Sequence, residues 1–387
     1  VRQILFCLLL AAPARARSSS ISPEMDKLLL DGLDAVYRMD FAAADEDARR
    51  AIALQPDYPF AYLGQAATEL IRYCYGTEMG DQTLVASFEA KIADTIRVSD
   101  AWLKTHPGDP DVLFVQGAAH GVAGRMAIER RQWLKAFSHG RAAMKSIRAA
   151  SAAAPDMYDA QLGLGMFDYY VDTIPRFVGW LAKIMLGGSR ERGLREIAAA
   201  AEKGRYAKTA AQLILVEIFT EDDFGGRNPA EAVRLMEGIC AQYPGSPMLE
   251  AARIVALYES RRMSEAVAAA RAFLKNVESG RFPALDLPKA HALLGTLLWS
   301  QGERDEALEH YRAGGAVGGD AARTRWSAWC HVREGQILDA LGRRPEALAA
   351  YRAAYALPDT WDFRSVIKPC LSAPCVGAKY PGHFSPY

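Results

Sequence analysis

The segment GERDEALEHYRA at 302–313 returns forty residues later as GRRPEALAAYRA at 342–353, with eight of its twelve positions identical. A chain that repeats a small residue, an apolar residue and a tyrosine in fixed order is specifying one supersecondary unit more than once. Self-similarity at this period belongs to stacked arrays. Extending the copies backwards adds a second marker: Gly295 precedes Ala307 by twelve residues, as Gly335 precedes Ala347. Near the other end Gly32 precedes Ala44 by the same interval, and prolines close the units in ALQPD (Pro56) and ALPD (Pro358). Alanine is abundant and β-branched alternation scarce, so the units read as helices.

These residues resemble the tetratricopeptide repeat, an antiparallel helix pair with a small eighth residue, a small twentieth, an aromatic near the twenty-fourth and a terminal proline. Packing explains the pattern. Small residues let two helix backbones approach closely, where a larger side chain would hold them apart. Tyr311 and Tyr351 fill the wedge towards the neighbouring pair, and Gly302 and Gly342 end the first helix in a left-handed turn. The expected fold is therefore all-α: an α-solenoid superhelix of roughly eight antiparallel pairs over 23–360, with the strongest repeats at 246–358. Looser pairs carry Ala232, Ile239 and Pro244 behind Asn228-Pro229, then Ala266 and Phe273, with Gly117 and Gly163 as earlier small positions. Prolines 107 and 155 are spaced more widely than one repeat, so the middle pairs should have longer helices or insertions. The stretch from MFDYYVD to GLREI is similar to the inclusion-body-clearance-like branch of repeat proteins, which implies shared architecture and brings no active site.

The ends read differently. Residues 1–16 have an arginine, an apolar run and an Ala14-Arg15-Ala16 cleavage pattern, as a secretory signal peptide does, with 17–22 as linker. Cys7 lies inside the apolar run, which argues against a lipid anchor, and the expected destination is the bacterial periplasm or exterior. Cys370 and Cys375 are close enough in sequence to form a disulfide there, whereas Cys74, Cys240 and Cys330 fall in helical patterns as buried thiols. Residues 361–387 form a proline- and aromatic-rich tail that either caps the last pair or stays extended.

Forty-six basic residues balance forty-six acidic ones, so there is no global field for nucleic acid, and the expected partner is a protein or peptide. The resemblance implies binding on the concave face of the first helices, at the second, fifth, ninth and twelfth positions of each. These positions are Met248, Ala251, Val255 and Tyr258 in the sixth pair, and Lys289, Ala292, Thr296 and Trp299 in the seventh. In the last pair they are Trp329, Val332, Gln336 and Asp339. Lysines and asparagines that would clamp a terminal carboxylate are missing at the fifth and ninth, so a helix or extended segment is the better guest. The apolar insert 174–186, with Phe177, Trp180 and Ile184, either plugs the concave side or docks a partner or membrane surface, and it is the one segment read as able to touch a membrane. Asp168 and Asp172 share one helical face as candidates for basic partners.

Chemistry finds little footing. Asp223-Phe224-Gly225 lacks the other kinase segments, GGAVGGD at 314–320 lacks the ending of a phosphate loop, and the seven histidines show no metal-ligand spacing. Gly187-Gly188-Ser189 opens a helix, and capping by Ser189 accounts for it. The sequence thus reads as a non-catalytic interaction scaffold without cofactor or metal. A second reading is an accessory subunit of an envelope enzyme or export machine, and a third is an enzyme with carboxylates inside the superhelix.

Overall fold

The computed structural model describes residues 21–173, 188–221, 226–359 and 363–375. Residues 1–16, read above as a signal peptide, most of the expected linker, the insert residues Phe177, Trp180 and Ile184, and the end of the tail lie outside the described residues.

Seventeen α-helices and no strand occur among the described residues. They pair in order: α1 (Pro23–Tyr37) with α2 (Phe41–Leu54), α3 (Phe60–Ile71) with α4 (Thr83–Thr105), and α5 (Pro110–Glu129) with α6 (Trp133–Ala153). Then come α7 (Tyr158–Thr173) with α8 (Arg190–Lys203), α9 (Lys208–Glu221) with α10 (Pro229–Gln242), and α11 (Pro247–Glu259) with α12 (Met263–Glu278). The last pairs are α13 (Leu287–Gln301) with α14 (Arg304–Gly315) and α15 (Arg325–Ala340) with α16 (Arg344–Ala356), followed by a single helix, α17 (Phe363–Ser372). Side chains of Ser22, Asp40, Asp109, Ser189, Asn228 and Thr324 accept backbone N–H bonds at helix starts. The wide proline spacing comes from helix length: α4, α5 and α6 run 23, 20 and 21 residues against 15 and 12 for α13 and α14.

Close approach at small residues holds the pairs together. A Cβ built on Gly295 would lie 3.1 Å from the ring of Tyr311 and 3.3 Å from the Ala307 carbonyl oxygen. At Gly335 the same atom would run into the ring of Tyr351, 2.6 Å from Cδ1. Ala307, Ala347 and both tyrosines are wholly buried, and Gly302 and Gly342 take φ of 92° and 73° at the ends of α13 and α15. In the fourth pair, however, the small position is Gly165 rather than Gly163. Gly165 and Gly193 meet backbone to backbone between α7 and α8, whereas Gly163 faces Ile147 of α6.

The array turns back on itself. Asp26 of α1 pairs with Arg205, its Oδ1 2.8 Å from Nε, and the Tyr243 hydroxyl at the end of α10 donates to Asp34 at 2.9 Å. Tyr37 stacks obliquely on Tyr243 with ring centres 5.2 Å apart, and Met39, Ile71 and Tyr75 pack against the large core of the later pairs. The inner side of the C-terminal repeats is therefore lined by N-terminal ones. At the far end the described part of the tail caps the last pair: over 363–372 the chain is helical as α17, packs on α15 and α16, and buries Phe363 and Ile367. Phe363 lies 6.0 Å from the Trp329 ring, and Cys370 and Cys375 are joined by a disulfide with their Cα atoms 5.1 Å apart.

Candidate functional site

The inner wall of the seventh and eighth pairs is met by the turn between α3 and α4. The chain leaves α3 through a π-helical turn at Arg72–Gly76 and then places Glu78 and Met79 at φ of 47° and 60°. Two successive non-glycine residues in the left-handed region are uncommon, and each such residue costs about 1–3 kcal/mol. The turn is fixed by hydrogen bonds around it: Met79 N–H donates to Tyr73 O at 2.8 Å, and Gln82 Nε2 donates to Met79 O at 2.9 Å.

What the strained turn delivers is the Glu78 carboxylate, which is completely buried. Its Oε2 accepts from Arg325 Nε at 2.7 Å and from Trp326 Nε1 at 3.0 Å, and its Oε1 lies 2.5 Å from Lys289 Nζ. Lys289 also donates to Asp286 Oδ1 at 2.6 Å, and Arg325 N–H donates to the Glu78 carbonyl at 3.2 Å. Two carboxylates thus face two cations in a dry site. Burial alone pushes Glu78 up, but Arg325 and Lys289 outweigh it and hold the carboxyl below its ordinary range. Burial prevails at Asp286, whose carboxyl is raised, while Lys289 and Arg325 are raised because their carboxylate partners overcome burial. Such an arrangement is a latch rather than a reactive centre, since every charge is already matched.

Next to it Arg333 is buried among aromatic rings, its guanidinium 4.2 Å from the Trp329 centroid and 5.5 Å from that of Trp299. Its Nη1 donates to Gln336 Oε1 at 3.0 Å, and burial pushes its pKa down to about 10.

This geometry corrects the expected groove. Met248, Lys289, Ala292, Thr296, Trp329, Val332, Gln336 and Asp339 are buried and do not line an open surface. Lys289 belongs to the latch. The Thr296 hydroxyl bonds the Tyr311 hydroxyl at 2.9 Å, and Trp329 is covered by Arg333 and Phe363. Asp339 accepts from the Tyr351 hydroxyl at 2.9 Å, from Arg344 at 3.0 Å and from Cys375 N–H at 2.7 Å, so it fastens the C-terminal end. Ala251, Val255, Tyr258 and Trp299 remain half-buried on the inner side of the sixth and seventh pairs. Asp168 is likewise buried against Arg192, and nothing is described of the Asp172 side chain.

Sequence reasoning missed Glu78, Asp286, Arg325 and Arg333. The signal for the last two was a pair of arginines in a segment otherwise read as inner wall, which demands partners. No local signal marked Glu78. The free thiols among the described residues are held protonated, because burial raises Cys74 and Cys240 to about 12 and Cys330 higher still. Among the described residues no three His, Cys, Asp or Glu side chains gather as a metal site would require.

The deciding features are the wedge of Gly295, Ala307 and Tyr311 and its copy at Gly335, Ala347 and Tyr351, repeated around one continuous stack. The fold is a tetratricopeptide-type solenoid. No family model matches the chain, and no curated protein does. Solved structures similar to it include a tetratricopeptide repeat protein from Parabacteroides merdae, at 16% identity over 77% of this chain and 94% of that one, with a TM-score of 0.32. The human IFIT1 dimer with PPP-AAAA is 14% identical over 91% and 86%, with a TM-score of 0.46. The tetratricopeptide domain of P58(IPK) is 14% identical over 81% and 98%, with a TM-score of 0.26.

Proposed function

We propose that this solenoid is a non-catalytic interaction scaffold, and that its guest is a helical or extended protein segment held on the inner side of the sixth and seventh pairs. The observation carrying this reading is the half-buried strip of Ala251, Val255, Tyr258 and Trp299 beside inner positions that are otherwise closed. A partly covered aromatic strip on a rigid helical wall has the makings of a binding hot spot, since little order is lost when a guest seats on it. A neighbouring stretch of the inner side already holds a segment of the chain itself, the Glu78 turn against Lys289 and Arg325, which supports the reading. The disulfide between Cys370 and Cys375 supports residence in an oxidising compartment, as the secretion reading holds.

The test is a comparative pull-down from cell-envelope extract with wild type and a Tyr258→Ala, Trp299→Ala double variant. A discrete set of proteins retained by the wild type and lost by the variant supports the strip as the binding surface. Identical sets from both would remove it. Trp329→Ala is unsuitable for this purpose, because a fully packed tryptophan changes stability before it changes binding.

A further inference from the structure

The outer helix α6 carries the largest exposed apolar side chains among the described residues: Trp133 is 63% exposed, Leu134 88% and Phe137 60%. Its other face is ordinary, with Ala143, Ile147 and Ala150 buried and Ile147 packed against Gly117 and Gly163. At about 100° per residue, Trp133, Leu134, Phe137, Arg141, Lys145 and Arg148 fall within roughly a third of the helix circumference. All six are exposed, so they form one ridge along the helix, apolar at its start and basic beyond.

Charge along this segment is one-sided. Residues 130–155 contain Arg130, Arg131, Lys135, Arg141, Lys145 and Arg148 and not one Asp or Glu, in a chain whose charges otherwise balance. Nearby, Glu89 approaches Lys135 only at 3.6 Å, with both side chains mostly in water. Lys135 lies in the first turn, the end of a helix that favours anions, and α6 has neither an acidic residue there nor a side-chain cap. An external negative surface supplies what this helix lacks.

From these features we infer that α6 is a membrane-surface helix, lying flat on an anionic bilayer with Trp133, Leu134 and Phe137 in the headgroup boundary and Arg141, Lys145 and Arg148 against acidic lipid heads. Exposed aromatic and leucine side chains beside a purely basic face are the composition that binds such a surface, and the combination is seldom left bare on a soluble monomer. No helix among the described residues is long and apolar enough to cross a membrane, so contact is in the plane of the surface. This contact is independent of the inner strip and needs no protein guest.

The experiment is co-sedimentation of the purified full chain with vesicles of phosphatidylcholine alone and of phosphatidylcholine mixed with phosphatidylglycerol. Two variants are compared, Trp133→Ser/Leu134→Ser/Phe137→Ser and Arg141→Gln/Lys145→Gln/Arg148→Gln. Circular dichroism and thermal melts confirm that both fold, as substitutions of exposed side chains should. Wild type should bind the mixed vesicles, more weakly at high salt, and ignore the neutral ones. Each cation near the surface contributes about fivefold, so the glutamine variant should bind roughly a hundredfold more weakly, and the serine variant should detach as well. Absence of binding to mixed vesicles overturns the inference, as does equal binding by folded variants. So does a wild-type dimer in sedimentation velocity that the serine variant abolishes, since the ridge would then belong to a second copy of the chain.

Discussion

The inner wall of the last two pairs and the outer ridge of α6 use the same kinds of side chain and treat them in opposite ways. Inside, Lys289, Arg325 and Arg333 stand among Trp326 and Trp329, and all five are buried. Outside, Lys135, Arg141 and Lys145 stand beside Trp133, Leu134 and Phe137, and all six are exposed. The difference is made by what the rest of the chain brings. Glu78 arrives from a turn almost 250 residues away to neutralise Arg325 and Lys289, and Trp299 and Gln336 close over Arg333. No carboxylate of its own segment serves α6 in this way. Cations can be sealed away only where carboxylates, or hydrogen-bond acceptors and aromatic faces, take the place of water, and the aromatic residues follow them in or out.

The largest expected effect lies at the latch. Glu78→Ala should cost about 3–5 kcal/mol, because Arg325 and Lys289 remain buried with less negative charge than they need. Thermal unfolding followed by circular dichroism measures it. A loss below about 1 kcal/mol would mean that the N-terminal repeats are not fastened here, and the contrast between the two surfaces would lose its cause.

At the wedge of the last pair, Gly335→Val should also be severe, since its Cβ already runs into the buried Tyr351 ring. Overpacking of this kind costs about 1–3 kcal/mol, and the shift should be visible in the same melts. Gly64→Ala, on a helix with nothing within 4 Å of the added atom, is the control and should leave the midpoint unchanged or slightly raised.

How much of this was legible depends on distance along the chain. The wedge of Gly295, Ala307 and Tyr311 is local and recurs, so its spacing alone predicts the hairpin. Gly163 and Gly165 are equally small, and only the register against Gly193 of α8 chooses between them. Glu78 gave no warning: neither it nor Met79 is a glycine, although both sit in left-handed backbone, and its partners lie beyond any repeat period. The same closure explains why a groove transferred position by position came out buried at Lys289, Val332 and Asp339. For α6 the information was present as WLKAF within a run free of carboxylates, but exposure is decided by neighbouring helices and not by the segment itself.

A smaller effect should separate the two regions by pH. Nδ1 atoms of His120 and His139 lie 3.1 Å apart between α5 and α6, and those of His291 and His310 lie 3.0 Å apart between α13 and α14. Burial lowers all four, and His291, beside His310, falls to about 4. Lowered histidines favour the fold fully above the unfolded value near 6.5, and that contribution is lost as pH falls through 6.5 towards 4. The melting midpoint should therefore decline over this window. His310→Gln should flatten the decline more than His139→Gln, because the pair it disrupts contains the more strongly lowered ring. Parallel profiles for wild type and both variants would assign the acid sensitivity to carboxylates instead.

The smallest effect sharpens the comparison most. Replacing Trp133, Leu134 and Phe137 together by serine removes three large apolar side chains, a change that would unfold the inner wall. On α6 it should alter stability by less than about 0.5 kcal/mol per site, since the side chains leave little contact behind. Denaturant titration distinguishes the cases, and the slope should stay constant because the buried surface is unchanged. A large loss would show that these residues are packed in solution and that the ridge is part of the core. A neutral result leaves an apolar, basic surface that the fold maintains without any return in stability, which is the physical reason to seek its use in binding.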